Sequence, residues 1–381
     1  MAIMPTLKSQ FQLRPDIVFL NHGSFGATPK PVFESYQRWQ RELEAQPVEF
    51  LGRRSPALMA DARQSLADYL GAGRDDLVFV TNATLGVNIV ARSLRLGVDD
   101  EVLTTHHEYG ACDRAWRYLS ARHGFSYRAC AVDLSSRESF VESFWKNVRP
   151  QTRVIFLSHI TSATATIFPV QEICARARAA GILTLVDGAH APGQIPVHLA
   201  SLGADFYTGN LHKWLCAPKG AGFLHARPAS QSMLEPLIVS WGFESDAPGP
   251  SQFVDYHEWQ GTRDLSAFLA VPDAIAFQKE NNWDAVRAAC HALAVDAERE
   301  FRALTGLPSF YADDGWFAQM FVARLPAHVD LSVFKTRLYD EFQIEAPVID
   351  WRGEKFLRVS LQGYNTRADL DALFRALPQL L

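Results

Sequence analysis

The sequence is poor in cysteine, and the few cysteines lie far apart. Its 381 residues contain five of them, Cys112, Cys130, Cys174, Cys216 and Cys290, and no Cys-x-x-Cys pair. An odd number of scattered cysteines argues against a disulfide framework and against a structural zinc site. We therefore expect a cytoplasmic protein without a metal site.

Long apolar runs and clusters of positive charge are missing as well. The sequence contains no uncharged apolar run of about 18 residues, the length that crosses a bilayer. Residues 1–8 contain neither an apolar run nor a small-residue cleavage site, so we expect no signal peptide. Lys and Arg number 37 against 42 Asp and Glu, whereas nucleic-acid binding needs clustered positive charge. The sequence thus predicts neither a membrane partner nor a nucleic-acid partner.

The sequence does have the composition of a globular protein and a repeating pattern of short elements. Apolar residues make up 48% and charged residues 21%, so disorder is not expected. Helical segments, for example 85–94 and 170–180, separate short apolar runs that are typical of buried strands. These runs lie at 77–80, 100–105, 154–158, 182–187 and 204–207. Strands that alternate with helices predict a mostly parallel sheet, which binds ligands beyond the carboxyl ends of its strands.

The length of the chain predicts two domains. A single small core does not require 381 residues. After residue 265 the alternation gives way to a long helical stretch, 267–305, and then to a short α/β pattern. We expect a large domain formed by residues 16–265 and a smaller domain formed by residues 1–15 and 266–381.

Three polar turns carry the candidate chemistry. Lys213 lies between a predicted strand and the Gly/Pro-rich segment 217–222, where a solvated loop lysine would be ordinary. Asp187 ends an apolar strand, and a carboxylate buried there needs a partner unless it caps the next turn. Residues 82–84 precede a helix whose first N–H groups suit a phosphate, although Asn and Thr are also common N-caps. Each turn taken alone favours the structural interpretation.

Considered together, these turns and their neighbours resemble the class V, fold-type I family of pyridoxal-phosphate-dependent aminotransferases, and most closely its isopenicillin N epimerase branch. The segments that carry the resemblance are residues 20–26, 81–84, 108–111, 159–162, 186–193 and 205–214. The resemblance implies an α/β fold with a large domain, built on a mostly parallel sheet flanked by helices, and a smaller C-terminal α/β domain. It also implies pyridoxal 5′-phosphate as the cofactor, an amino acid as the substrate, and a homodimer with shared active sites.

The resemblance implies a role for each residue around the cofactor ring. Lys213 holds the cofactor as a Schiff base and moves the proton at the substrate Cα. Asp187 pairs with the protonated ring nitrogen, which makes the ring an electron sink. His190 lies near the phenolic oxygen. Tyr109 takes the position of a ring-stacking histidine, for which another aromatic ring can substitute.

The resemblance also implies a phosphate site. Ala83 and Thr84 meet the phosphate through the backbone and the hydroxyl group. Asn210 takes the place of a phosphate-binding serine, and His212 lines the same side. Thr262 belongs to a loop that the partner subunit contributes, although its surroundings also fit an ordinary turn.

A separate group of residues is implied for the substrate. Arg358, in the small domain, binds the substrate carboxylate, because a planar and permanently charged fork matches that group. A surface salt bridge is the alternative for this arginine. Ser162, Asn21 and His22 are also expected to contact the substrate.

The fate of the Cα proton decides the reaction. Reprotonation on the face opposite Lys213 gives epimerisation, which the resemblance favours, with His22, Tyr109 or His190 as the second proton donor. A C–S (β-elimination) lyase or an aminotransferase would use the same site, and a non-catalytic cofactor-binding regulator is a remote alternative. Cysteine desulfurases need a nucleophilic cysteine shortly before the small-domain arginine. No cysteine follows Cys290, so that activity is not expected.

Overall fold

The computed structural model describes residues 6–381 of the chain. The strands are β1 (Val18–Phe19), β2 (Leu77–Val80), β3 (Glu101–Thr105), β4 (Ser126–Cys130), β5 (Thr152–Ser158), β6 (Leu183–Asp187), β7 (Phe206–Asn210), β8 (Gly222–Ala226), β9 (Met320–Arg324), β10 (Ile344–Glu345), β11 (Val348–Trp351) and β12 (Glu354–Ser360). The α-helices are α1 (His22–Phe25), α2 (Lys30–Ala45), α3 (Pro47–Glu49), α4 (Ser55–Leu70), α5 (Ala83–Ser93), α6 (Gly110–His123), α7 (Arg137–Trp145), α8 (Val170–Ala179), α9 (Leu199–Leu202), α10 (Pro228–Gln231), α11 (Gln252–Glu258), α12 (Ser266–Leu269), α13 (Val271–Glu280), α14 (Trp283–Thr305), α15 (Leu331–Asp340) and α16 (Arg367–Leu380). None of the helices in the described range has both the length and the apolar character needed to cross a membrane.

Seven strands form the central sheet in the order β2-β8-β7-β6-β5-β3-β4. Only β8 pairs antiparallel with its neighbours, and the other pairs in this sheet are parallel. Alternate residues of β2 belong to two different hydrophobic cores, with Phe79 in one and Val78 in the other. Because both faces of the sheet are covered, its strands read as continuous apolar runs. The expected mostly parallel central sheet is confirmed.

A smaller antiparallel sheet, in the order β11-β12-β9, lies in the C-terminal part of the chain. β1 pairs in parallel with β10, and Asn21 forms an isolated bridge with Ser360 at the end of β12. This pairing joins the N-terminal segment to the C-terminal part of the chain, and it involves residues 18–21, which lie past the predicted boundary at residue 15. The domain boundaries themselves stay a prediction. The pairing also brings the residues that follow β1 close to Arg358 in β12.

Two predicted elements differ from the observed ones. The strand predicted at 204–207 is β7, which extends to Asn210 because its last residues continue the pairing with β8. The helical stretch predicted at 267–305 is divided into α12, α13 and α14. Pro272 lies in the first turn of α13, where no intrahelical N–H bond is needed, and Asn282 has a left-handed backbone just before α14.

Candidate active site

A cavity of about 220 Å³ opens at the sheet edge where β2, β3, β5, β6 and β7 end. The turns after these strands line it, as expected for ligand sites in parallel sheets. The predicted residues that line the cavity are Ala83, Thr84, Tyr109, Ser162, Asp187, His190, Asn210, His212 and Lys213. The predicted residues that are not among its lining are Asn21, His22, Thr262 and Arg358.

Lys213 presents a buried amine to this cavity. It lies in the turn after β7, and its Nζ is 3.1 Å from Nε2 of His190. Burial, followed by the positive charge of Arg358, lowers the pKa of Lys213 from 10.5 to about 7, against the opposing effect of Asp187. A large fraction of the amine is therefore uncharged at neutral pH. An uncharged amine is the form that attacks an aldehyde.

Asp187 is a buried carboxylate at the end of β6. Its Oδ1 accepts a hydrogen bond from the backbone N–H of Ala189 at 2.9 Å, and its Oδ2 accepts one from the Cys112 thiol at 3.5 Å. Burial raises the pKa of Asp187. A thiol is a weak donor, so Oδ2 keeps the capacity to pair with a cation such as a protonated ring nitrogen. The contact between Cys112 and Asp187 joins residues that are 75 positions apart.

The phosphate side of the cavity is built around the start of α5. Asn82 caps this helix, because its Oδ1 accepts a hydrogen bond from the Leu85 N–H at 2.9 Å. Asn210 reaches the same helix end, and its Oδ1 accepts from the Ala83 N–H at 2.8 Å. The Ala83 N–H, which was expected to meet the phosphate, thus already has a partner in Asn210. The side-chain NH₂ of Asn210 and the first turn of α5 with Thr84 are the donors that this arrangement offers.

His212 lines the same side, but at neutral pH its ring offers no free N–H to the cavity. Its Nδ1 lies 3.1 Å from the carbonyl oxygen of Ala221 and donates to it. Burial lowers the pKa of His212 to about 4. The neutral ring then carries its proton on Nδ1 and a lone pair on Nε2, which does not favour an anion.

Arg358 lies just behind the cavity wall. It is buried, and its Nη1 donates to the Ser162 carbonyl oxygen at 2.6 Å, while its Nη2 donates to Ser24 Oγ at 3.1 Å. Burial lowers its pKa to about 10, so the guanidinium stays charged at neutral pH. Its Nε has no hydrogen-bond partner within residues 6–381. A buried guanidinium held only by neutral groups matches a carboxylate ligand.

Asn21 and His22 lie behind the residues that line the cavity and do not line it themselves. His22 is buried, with Nδ1 at 2.9 Å from the Tyr364 hydroxyl and Nε2 at 3.0 Å from the Lys213 carbonyl oxygen. Both ring nitrogens are thus engaged, and His22 fixes the backbone of Lys213. Asn21 accepts a hydrogen bond from Ser24 Oγ at 2.6 Å and thereby orients the serine that contacts Arg358.

Ser24 and Phe25 are among the cavity-lining residues that the sequence did not predict. Both belong to segment 20–26, so the segment was recognised but these members were given no role. Phe25 is 74% exposed, and Tyr109, which directly precedes α6, is 44% exposed. Thr262 is exposed and lies in the loop between α11 and α12. Its expected role in a partner's site stays a prediction.

These groups match three of the functional groups of pyridoxal phosphate. The Lys213 amine suits its aldehyde, the Asp187 carboxylate suits its ring nitrogen, and the start of α5 suits its phosphate. Fold and site together define a fold-type I pyridoxal-phosphate enzyme. The chain belongs to the aminotransferase class-V family, whose model matches residues 18–315.

Similar proteins support the same assignment. The chain is 37% identical to isopenicillin N epimerase of Amycolatopsis lactamdurans over an alignment of 388 residues. This alignment covers 98% of this chain and 97% of that protein. It is 28% identical to putative L-cysteine desulfhydrase 1 of Oryza sativa subsp. japonica, over 95% of this chain and 83% of that protein. An apo structure of the cysteine desulfurase from Thermococcus onnurineus NA1 matches with a TM-score of 0.83. That match covers 100% of this chain and 99% of the other at 19% identity, and it supports the fold alone. The expected family, fold class and cofactor are confirmed.

Proposed function

We propose that this protein is an amino-acid epimerase of the isopenicillin N epimerase type, which inverts the configuration at Cα. The observation that carries the proposal is that Lys213 and Tyr109, two proton-carrying side chains from different strand ends, line one cavity. The identity of 37% to an isopenicillin N epimerase over nearly the whole chain supports it. Inversion needs a proton donor and a proton acceptor on the two faces of Cα.

The chain's own residues divide the work as follows. Pyridoxal phosphate, when bound, withdraws electrons from Cα and so makes its proton acidic. Arg358 binds the substrate carboxylate, since its guanidinium is buried among neutral partners. Asp187 holds the protonated ring nitrogen. Lys213 holds the cofactor aldehyde before the reaction and moves the proton at Cα on its own side.

Tyr109 is the best candidate for the second proton donor. Both ring nitrogens of His22 are engaged away from the cavity. His190 contacts the amine of Lys213, which places it on the lysine side. Tyr109 lines the cavity from the turn after β3, three strands along the sheet from β7, and its phenol lies close enough to influence the pKa of Arg358. It is therefore near the group that would hold the substrate.

A Tyr109→Phe substitution separates the two proton transfers. The phenylalanine ring keeps its packing and loses the acidic hydroxyl. We expect net inversion to fall by about 100-fold or more, as for loss of a general acid. Exchange of the Cα proton with deuterated solvent should persist for the enantiomer whose proton faces Lys213. Chiral chromatography and NMR of the recovered amino acid measure the two effects.

Inversion and exchange measured for both enantiomers decide whether Tyr109 donates the proton or only positions the ring or the substrate. Unchanged inversion in Tyr109→Phe would contradict the proposed donor. Loss of exchange for both enantiomers would mean that Tyr109 positions the ring or the substrate. Lys213→Ala is the control that should abolish exchange for the enantiomer whose proton faces Lys213.

A C–S lyase is the second candidate function. The 28% identity to a putative cysteine desulfhydrase favours it, and elimination needs only Lys213 and a leaving group on the substrate. A panel of amino acids distinguishes the reactions. Keto acid with ammonia indicates a lyase, and keto acid formed only with an amino acceptor indicates an aminotransferase. A holoenzyme whose absorbance responds to no amino acid would indicate a regulator.

We further propose that the protein is not a cysteine desulfurase, although one such enzyme has the same fold. The five cysteines are all buried, and none lines the cavity. Burial raises the pKa of each thiol, which disfavours the nucleophilic thiolate. The segment before Arg358 is a tight β11–β12 hairpin without cysteine. The cysteines are also unpaired, which supports a reducing compartment such as the cytoplasm.

We also propose a homodimer in which each subunit completes the partner's site. The segment between α10 and α11 exposes a run of large apolar side chains: Leu237, Ile238, Val239, Trp241 and Phe243. Trp241 is 84% exposed. A contiguous apolar patch of this kind is typical of a protein interface. Thr262, which is exposed and outside the cavity of its own chain, is the residue expected in the partner's phosphate site.

A further inference from the structure

Trp214 contacts the one ring nitrogen of His190 that does not face Lys213. It follows Lys213 in the chain, and its side chain is fully buried. The indole Nε1 lies 3.2 Å from Nδ1 of His190 and donates a hydrogen bond to it. The other ring nitrogen, Nε2, lies 3.1 Å from Nζ of Lys213. The three side chains thus form a row that begins in the core and ends in the cavity.

This row defines where the imidazole carries its proton. An indole N–H donates and never accepts, so Nδ1 of His190 must present its lone pair. A neutral imidazole has one N–H, which then lies on Nε2. The neutral form is favoured because burial, followed by the charge of Lys213, holds the pKa of His190 well below 6.5. Arg358, His212 and His22 are the other titratable groups that act on it, and all three lower its pKa.

Neighbouring contacts hold both rings in place. The side-chain amide of Gln194 donates to the His190 carbonyl oxygen at 2.8 Å, and that of Gln278 donates to the Trp214 carbonyl oxygen at 2.9 Å. The ring of His22 packs against the indole with 5.0 Å between centroids. The contact between indole and imidazole is therefore part of the rigid core.

We propose that Trp214 is a positioning residue that fixes His190 as the tautomer protonated at Nε2, so that His190 donates a hydrogen bond into the cavity. The inference rests on the proposed function and on the position expected for His190 beside the phenolic oxygen of the cofactor, which is then the acceptor. An N–H at this place stabilises negative charge on that oxygen, whereas the other tautomer would direct a lone pair at it. A residue outside the cavity thereby controls the electronic state of the group inside it.

Trp214→Phe tests the proposal, because it keeps an aromatic ring and removes the donor. We expect the ¹⁵N NMR spectrum of the wild-type holoenzyme, with labelled histidine, to show His190 protonated at Nε2. In the variant, the proton should shift toward Nδ1. The pH midpoint of the visible absorbance change of the holoenzyme should rise by about one pH unit, the effect of one lost hydrogen bond to the phenolic oxygen.

His190→Gln provides the matched control. A glutamine amide donates through its Nε2 whether or not Trp214 is present, so Trp214→Phe should not move the midpoint in that background. An equal shift in both backgrounds would overturn the proposal, because Trp214 would then act through packing. His190 protonated at Nδ1 in the wild-type protein would overturn it as well, and this measurement remains decisive if Trp214→Phe does not fold. Absence of epimerase activity would contradict the proposed function and leave the tautomer measurement unaffected.

Discussion

At the scale of single residues, burial sets the charge state of the site more than any neighbouring charge does. It is the largest cause of the lowered pKa of Lys213 and His190 and of the raised pKa of Asp187. In each case burial favours the neutral form. The ring nitrogen and phosphate of a cofactor would bring charge into this buried site, so we expect cofactor capture to be sensitive to pH.

The lowered pKa of Lys213 predicts that pH dependence. Below about pH 7 the amine is protonated and does not attack the cofactor aldehyde, and above it the amine is free. We expect the rate constant for capture of pyridoxal phosphate by the apoprotein to rise with pH up to about 7 and then to level off. Stopped-flow absorbance measures it. Asp187→Asn removes a group that raises this pKa, so its midpoint should lie lower. A midpoint close to the ordinary 10.5 would mean that the lysine is solvated in the apoprotein.

The sequence predicted Lys213 and Asp187 because each follows an apolar strand within a recognisable segment. It could not predict Ser24 or Trp214, whose importance comes from contacts between distant segments. The hydrogen bond from Arg358 to Ser24 joins residues 334 positions apart. The surroundings of His22 could not be predicted for the same reason, since only the folded chain shows that its two ring nitrogens are already engaged. The local sequence pattern indicates which turns contribute to the site, whereas contacts between distant segments decide which atoms face the cavity.

At the scale of elements, the start of α5 depends on a side chain from another strand. Asn210 ends β7, and its Oδ1 accepts from the first backbone N–H of the helix. This contact ties the phosphate side of the site to the strand that precedes Lys213. The strand therefore positions the helix end and the lysine together.

Asn210→Ala should loosen that connection. The Ala83 N–H would lose its acceptor, and loss of such a cap costs about 1 kcal/mol of stability. We expect a lower Tm of the apoprotein and a weaker affinity for pyridoxal phosphate, by about fivefold, from calorimetry and fluorescence titration. Asn210→Ser keeps an acceptor oxygen, so its Tm and its affinity should lie between those of the wild-type protein and those of Asn210→Ala. An unchanged affinity would show that Asn210 supports the helix without contributing to the phosphate site.

The predicted elements were most accurate where burial is uniform. The run 77–80 coincides with β2, because a strand covered on both faces is apolar throughout. β8 follows directly after a Gly/Pro-rich segment that indicated only a turn, and it is the antiparallel strand of the sheet. β4 lies at the sheet edge and is only partly buried, so its sequence carries no continuous apolar signal. These two strands were absent from the expected pattern for those reasons.

At the scale of the whole molecule, the cavity of one chain contains the cofactor lysine but not Thr262. The apolar residues 237–243 and the loop at Thr262 both belong to the connection between α10 and α12, so one surface would serve assembly and the partner's site. A twofold-symmetric dimer would form two such sites at once. Sedimentation should therefore show a dimer, and Trp241→Asp, which places a charge on the patch, should shift it toward monomer.

Subunit complementation tests whether the sites are shared. Lys213→Ala removes the lysine, and Thr262→Asp places a negative charge where the partner's phosphate is expected, so each homodimer should be inactive. In a mixed dimer with shared sites, one site receives the intact Lys213 of one chain and the intact Thr262 of the other. Unfolding and refolding an equal mixture should then restore about a quarter of the wild-type activity, since half of the dimers are mixed and each has one intact site. If each chain builds its site alone, Thr262 lies outside that site, so the Thr262→Asp homodimer should be active by itself and mixing should add nothing to its activity.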